Sequence, residues 1–325
     1  MSHVSTLDFS AFCSKDPGRQ QSFCQQFTAA LQQHGFVKLI NHAVPAEGIA
    51  KIFEFSKQFF EMDQAAKAVA AHPTTAIPHR GYSFVGQEKT SILAPGEGKP
   101  SVDCKESFDM GSPYSRIFPN TWPADCDMPH FRPEIESFYQ TCQDFHHTLL
   151  RALALGLQLD AHTFDSLVDG NDHELRLLHY PAVPKKELMN GQKTRIAPHT
   201  DFGVLTLLFQ DDVGGLQVMD QQTGLYSVVD GSHPIMLVNV GDSLQRWTNN
   251  HLRAVLHQVT APSQSPSGTD SPIFTKERFS VAFFGKPNRA CSLHPLPQLL
   301  LDGECSQYPD ITAGEYQDSR IHGTY

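Results

Sequence analysis

Short β-rich runs separated by turns from Glu174 onward, long amphipathic helices before them, and no linker between the halves predict one mainly β fold with helices. The expected architecture is a double-stranded β-helix (jelly roll) core with N-terminal and flanking helices. The whole chain, 1–325, is expected to form a single unit. Within it, 1–170 is mostly helical, 174–290 is the jelly-roll core, and 291–325 is a C-terminal extension.

The elements follow in order. Thr6 to Phe9 is a short strand. Asp16-Pro17 supplies a cap and a first-turn proline, and Phe23, Phe27 and Leu31 recur every four residues. Gly35 stops the run, so residues 17–34 form an amphipathic helix. Phe36 to Ile40 is a strand, and a second helix runs from Pro45 to Met62 with Ile49, Ile52, Phe53, Phe59 and Phe60 on its buried side. Prolines and glycines crowd residues 71–101 and mark a long loop, either a plain surface loop or a lid or substrate wall. Order resumes at Asp103, and Pro113 to Pro133 is a second connection. A long helix over 133–157 stripes Ile135, Phe138, Cys142, Phe145, Leu149 and Leu153 on one side, with His146 and His147 as surface or packed histidines. From Glu174 onward short strands follow, 176–180, 202–209, 216–218, 235–240, 253–259 and 278–284, with a polar loop over 261–276. From Pro295 the chain mixes loop with apolar anchors such as Leu299 to Leu301.

Bulk composition narrows the function. A net charge of −10, with no basic run, argues against a nucleic-acid partner. No apolar run approaches the ~18 residues of a membrane span, and the N-terminus lacks a signal core. Seven scattered cysteines without a Cys-x-x-Cys pair read as reduced thiols. These features lead to the expectation of a soluble cytoplasmic protein with no nucleic-acid or membrane partner, and nothing in the sequence implies a protein partner.

The chemistry gathers around Ala197-Pro-His199-Thr-Asp201. On a strand or its approach, i and i+2 point to one side, so His199 and Asp201 project together. His257, returning on a neighbouring strand, would complete two histidines and one carboxylate on one face of a metal. That set leaves open positions of the kind Fe(II) uses. Arg278 and Ser280 are also i and i+2 on a strand, as are Arg176, Leu178 and Tyr180 on another, with His179 on its far face as a structural residue. Arg176 should point into the barrel, to meet either an internal acid such as Glu106 or Asp109 or an oxygen of the substrate. Phe284 shares the Arg278 and Ser280 face and could stack on a flat molecule.

The order His199-x-Asp201, Gly214-Gly-Leu-Gln-Val218, Asn239-x-Gly-Asp242, Trp247-Thr-Asn249, His257 and Arg278-x-Ser280 resembles the isopenicillin N synthase-like branch of the Fe(II)/2-oxoglutarate dioxygenases. The similarity reaches back to Asn41-His42 and Lys105-Glu-Ser-Phe108. Leu175-Arg-Leu-Leu-His-Tyr-Pro181 and Leu207-Leu-Phe-Gln-Asp211 are most similar to fungal members, including thymine-hydroxylase-like enzymes and secondary-metabolism oxygenases.

The resemblance implies His199, Asp201 and His257 as Fe(II) ligands, with 2-oxoglutarate and O₂ as co-substrates. It implies Arg278, Ser280 and Tyr180 as the group receiving the far carboxylate of 2-oxoglutarate. It places Phe108 and Tyr82 as aromatic walls on the substrate side, beside Arg176 and Phe284. Leu178 departs from the plant branch, which commonly has asparagine there. The expected substrate is a small, planar, oxygenated molecule of fungal secondary metabolism, a polyketide-derived aromatic or dienone ahead of a pyrimidine base, hydroxylated or, as in tropolone pathways, ring-expanded. Two rivals are a 2-oxoglutarate-independent oxidase like isopenicillin N synthase and a non-catalytic jelly-roll binding module.

Overall fold

The computed structural model describes residues 4–73, 79–93, 102–189, 193–261, 273–301, 303–322 and 324. Residues 74–78 and 94–101 of the long proline-rich loop, where the lid reading partly falls, lie outside these, as do 262–272 of the polar loop.

The first part holds β1 (Thr6–Asp8), α1 (Pro17–His34), β2 (Phe36–Ile40), α2 (Ala46–Glu61) and α3 (Gln64–Ala68). After these come β3 (Gly81–Ser83), β4 (Val102–Asp103), β5 (Glu106–Gly111), α4 (Phe131–Gly156) and α5 (Asp165–Val168). β6 (Glu174–Tyr180), α6 (Lys185–Met189), β7 (Lys193–Thr194) and β8 (Ile196–His199) lead into the second part. The chain continues through β9 (Leu205–Gln210), β10 (Leu216–Met219), β11 (Tyr226–Val228) and β12 (Met236–Val240). α7 (Asp242–Trp247), β13 (His257–Val259), β14 (Arg278–Phe284) and α8 (Ala313–Ile321) complete it.

Local chemistry explains the helix limits. The Asp16 side chain accepts from the Gly18 N–H at 2.8 Å, with Pro17 in the first turn, and α1 ends on Gly35 at φ +65°. A β-carbon at Gly35 would also lie 2.4 Å from Val255, so the stop doubles as a close crossing over the chain that leads to His257.

Two sheets face each other. The large one runs β1-β2-β12-β9-β14-β6-β5-β3, and the small one β11-β10-β13-β8. Among the described residues no strand belongs to both, so the pair is open rather than a closed barrel. Alternation along the large sheet divides its residues by face. Leu175, Leu177, Phe108, Met110, Val281, Phe283, Leu207 and Phe209 pack against α1, α2 and α4 in the main core. Leu178, Tyr180 and Ala282 face the small sheet instead, together with Ile196, Leu216 and Val259.

Four of the eight large-sheet strands come from the first 111 residues, so the mostly helical part also builds half of that sheet. β3 and β5 lie among turns and show no long alternating run, which is why the sequence did not mark them. α8 falls where only loop and anchors were expected. Its signal is the capping box Thr312-Ala-Gly-Glu315, with Thr312 and Glu315 each bonded to the other's backbone N–H.

His146 and His173 are fully buried behind β14, their ring centres 5.1 Å apart. Burial, with neighbouring histidines, holds both below the usual imidazole range, His173 at about 3. Both are therefore neutral in the folded protein at pH 7. Below about 6.5 the unfolded chain takes up protons that the folded chain cannot. Stability should thus fall as pH drops below that value, by at most about 1.4 kcal/mol per pH unit for each group. Urea titrations between pH 7 and 5 should show this loss, with a shallower slope in His146→Leu; identical slopes would refute it.

Candidate active site

His199 ends β8 and His257 opens β13, and the two are directly opposite in the antiparallel register. Their rings lie 4.3 Å apart between centres. Asp201 sits on the turn after β8, its Oδ1 3.9 Å from His199 Nε2 and 3.7 Å from His257 Nε2. Each Nδ1 is tied to a backbone carbonyl, His199 to Ala197 at 2.9 Å and His257 to Val255 at 3.2 Å. Each Nδ1–H donates to its carbonyl, so the Nε2 atoms are the ones left to bind a metal. The Asp201 Oδ2 accepts from Asn239 Nδ2 and Thr206 Oγ1, each at 2.7 Å, which leaves Oδ1 facing the histidines.

The electrostatics agree with that geometry. Burial, reinforced by His257, pushes His199 down to about 4, so its ring is neutral near pH 7. Burial opposes ionisation of Asp201, but the two histidines and the bonds from Asn239 and Thr206 outweigh it and hold the carboxyl below its usual value. Two imidazole nitrogens and one carboxylate oxygen, all oriented from behind, fit a divalent iron with positions open toward the cavity.

The turn carrying Asp201 is held by backbone crossings. Val204 N donates to the Gly285 carbonyl at 2.7 Å, and Asp242 N to the Asp201 carbonyl at 2.7 Å. A β-carbon at Gly203 would sit 2.3 Å from the Gly285 carbonyl, so any side chain there would force the turn away. The Asn239-x-Gly-Asp242 stretch therefore has a physical role that sequence reasoning left unassigned: Asn239 holds the Asp201 carboxylate, while Asp242 N–H holds its backbone. Thr206 carried no comparable signal.

On the facing sheet, β14 pairs with β6 so that Arg278 lies opposite Tyr180 and Ser280 opposite Leu178. All four line the same cavity as the histidines. Arg278 is 1% exposed; its Nη1 donates to Ser280 Oγ at 3.2 Å and its Nη2 to Gln210 Oε1 at 2.8 Å. Its carbon lies 4.8 Å from the Tyr180 ring centre, and its Nε has no partner among the described residues. This corner presents a guanidinium and hydroxyls to whatever enters, a match for a carboxylate. Gln210, which braces Arg278, was not foreseen.

Farther along β6 the cavity wall turns ionic. Arg176 points inward; its Nε donates to Asp109 Oδ1 at 2.5 Å and its Nη1 to Glu88 at 3.2 Å. Of the two acids named for an internal pair, Asp109 is the partner, while Glu106 binds Lys67 and His179 on the opposite face. Lys105 pairs with Glu88, and Lys286 with Glu174 at 2.9 Å. Burial opposes charge on Glu174, but Lys286 and its other cationic neighbours hold it down at about 2. His79, lowered to about 3 by burial and Arg176, stays neutral beside them. Glu174 was legible from its two-residue spacing to Arg176, whereas Glu88, Lys105 and Lys286 come from three distant segments.

The aromatic wall expected from Phe108 and Tyr82 is not there. β5 pairs with β6 so that Phe108 lies opposite Leu177, and β3 places Tyr82 opposite Phe108. By the period of two, both rings face the helices, where Phe108 packs on Phe59 and Phe131. Tyr82 donates to Glu106 at 2.6 Å on that same side. Phe284 does line the cavity, with the Arg176 carbon 5.9 Å from its ring centre. His179 stacks on Phe279 on the helix side, at 4.6 Å between centres.

Removing Arg176 would strand the buried Asp109 carboxylate and leave Glu88 to Lys105 alone. Arg176→Met should cost about 3–5 kcal/mol, and adding Asp109→Asn should recover part of that loss. Thermal or urea unfolding measures it; full stability in the single variant would contradict the pairing.

Residues 4–125 match the model of the non-haem dioxygenase in morphine synthesis N-terminal family, and residues 171–287 that of the 2OG-Fe(II) oxygenase superfamily. Proline hydroxylase buaE of Petromyces alliaceus is 45% identical, covering 99% of both chains. The 2-oxoglutarate-Fe(II) type oxidoreductase ppzD of Metarhizium rileyi is 44% identical over 99% of this chain and 91% of its own. The crystal structure of the full-length thymine hydroxylase of Neurospora crassa in complex with alpha-KG superposes with a TM-score of 0.88 at 33% identity, covering 98% of this chain and 96% of the other. Its complex with alpha-KG and thymine gives 0.88 at 31% identity, covering 99% and 97%. The chain belongs to the 2OG-Fe(II) oxygenase superfamily, among the fungal 2-oxoglutarate-dependent dioxygenases.

Proposed function

We propose that this dioxygenase hydroxylates a C–H bond of a small, polar, nitrogen-containing ring molecule, of the cyclic amino acid class, in fungal secondary metabolism. The observation that carries the reading is the ionic wall of Glu88, Lys105, Glu174, Arg176 and Lys286 across the cavity from His199, Asp201 and His257. Such a wall suits a substrate with charged ends of both signs, because each end finds an opposite partner without leaving a surplus charge buried. Similarity to a relative named proline hydroxylase supports it. A flat pyrimidine base is the second reading, favoured by Phe284 beside Arg176 and by the likeness to a thymine complex. No observation favours ring expansion, and hydroxylation is the reaction proposed.

In this reading His199 Nε2, Asp201 Oδ1 and His257 Nε2 hold Fe(II). Arg278, Ser280 and Tyr180 receive the far carboxylate of 2-oxoglutarate. Bound iron, 2-oxoglutarate and O₂ supply an oxidative decarboxylation, giving succinate and CO₂, that is coupled to C–H oxidation. The protein's share is orientation and exclusion of water. Asn239 and Thr206 keep Asp201 one-pronged, Gln210 keeps Arg278 aimed, and Arg176 with Phe284 sets the substrate's position.

Two measurements test this. Asp201→Ala should lose iron and succinate formation together, whereas Asn239→Leu should retain the site with iron affinity weakened about 10–100-fold. Near-normal iron content in Asp201→Ala would remove that residue from the ligand set. Separately, succinate release by the iron-loaded protein should rise with proline-class amino acids and yield a monohydroxylated product. Stimulation by thymine alone would favour the second reading, and substrate oxidation without succinate would favour an oxidase.

A further inference from the structure

Arg195, just before β8, is fully buried, yet its Nε and Nη1 have no partner among the described residues. Its Nη2 donates to the Lys276 carbonyl. A guanidinium buried away from the surface with open N–H groups is costly unless an anion compensates it. The Arg195 carbon lies 5.8 Å from the centre of the Tyr180 ring, and that of Arg278 lies 4.8 Å from the same centre. Two buried positive charges therefore share one aromatic ring.

Among the described residues, the acid whose charge acts on both is Asp211, on the turn after β9. Its carboxylate already accepts from the Phe279 and Val213 N–H groups, at 2.5 and 3.0 Å. Among the described residues, one carboxylate beside two guanidiniums leaves a surplus of positive charge at this end of the cavity. Tyr180, Arg278 and Ser280 line that end, whereas Arg195 stands behind the ring.

We propose that Arg195 is a positioning residue for the co-substrate, its charge acting across the Tyr180 ring on the far carboxylate and making the subsite selective for dicarboxylic 2-oxo acids. Arg278 bonds the carboxylate directly, while Arg195 supplies the second charge that balances it. The inference rests on the reading that Arg278 receives that carboxylate.

The test separates charge from shape. Fe(II)-loaded protein is titrated anaerobically, by calorimetry, with 2-oxoglutarate and with 2-oxovalerate, which has a methyl group in place of the far carboxylate. Arg195→Met should weaken 2-oxoglutarate by about tenfold or more while 2-oxovalerate binding stays unchanged. Arg195→Lys, which keeps the charge, should restore most of the affinity for 2-oxoglutarate. Equal losses for the two ligands, or no loss for either, would overturn the proposal. Should Arg195→Met not accumulate as folded protein, Arg195→Gln gives the same comparison. Arg278→Leu runs alongside: if it loses the dicarboxylate preference and Arg195→Met does not, only the role of Arg195 fails. If neither loses it, the reading of the whole subsite fails.

Discussion

The direct pairing of His199 with His257 across β8 and β13 is the contact on which the cavity depends. It sets two imidazoles 4.3 Å apart on the small sheet, with both Nε2 atoms toward the Asp201 carboxylate. Asp201 joins them only because its turn is trapped between strands: Gly203 lies against Gly285, Gly241 against Gly203, and Asn239 reaches from β12 to the carboxylate. A metal would occupy a position already fixed by groups that do not touch it, which lowers the cost of ordering the ligands on binding.

The large sheet has opposite chemistry on its two faces, and alternation along the same strands produces both. Leu175 and Leu177 on β6 close the aromatic core with Phe108, Met110 and Phe283. Glu174, Arg176, Leu178 and Tyr180, interleaved with them, face the cavity. A slip of one residue by β5 along β6 would put Asp109 into the core and Phe108 into the cavity, leaving Arg176 without that partner. The buried ion pairs thus select one register, since only that register satisfies them.

The C-terminal segment contributes to the same chamber. α8 brings Ile321 to the cavity wall, and its Tyr316 donates to the Asp242 carboxylate at 2.7 Å. The Arg320 guanidinium lies over Phe202, 5.2 Å from the ring centre, beside the ligand turn. Lys89 N–H donates to the Thr324 carbonyl at 2.8 Å, which joins this end of the chain to the segment carrying Glu88 and Thr90. Residues far apart in sequence therefore support the wall and the ligand turn at once.

Much of this was legible in the chain itself. Periodicity and caps located α1, α2 and α4 to within two residues, because those signals act within a few turns of one helix. His-x-Asp, the later histidine and Arg-x-Ser carried the family and the cavity's two poles, since i and i+2 on a strand share a face in any sheet. What tertiary structure alone decided was the company each residue keeps. Phe108 and Tyr82 were placed at the cavity by resemblance, but strand register turned them to the helices. Glu88, Lys105 and Lys286 meet Arg176 and Glu174 across three distant segments, and Arg195 meets Tyr180 from behind the cavity wall. A sequence determines which faces alternate, but which charges become neighbours depends on how strands register and sheets stack, and that is set by packing over the whole chain.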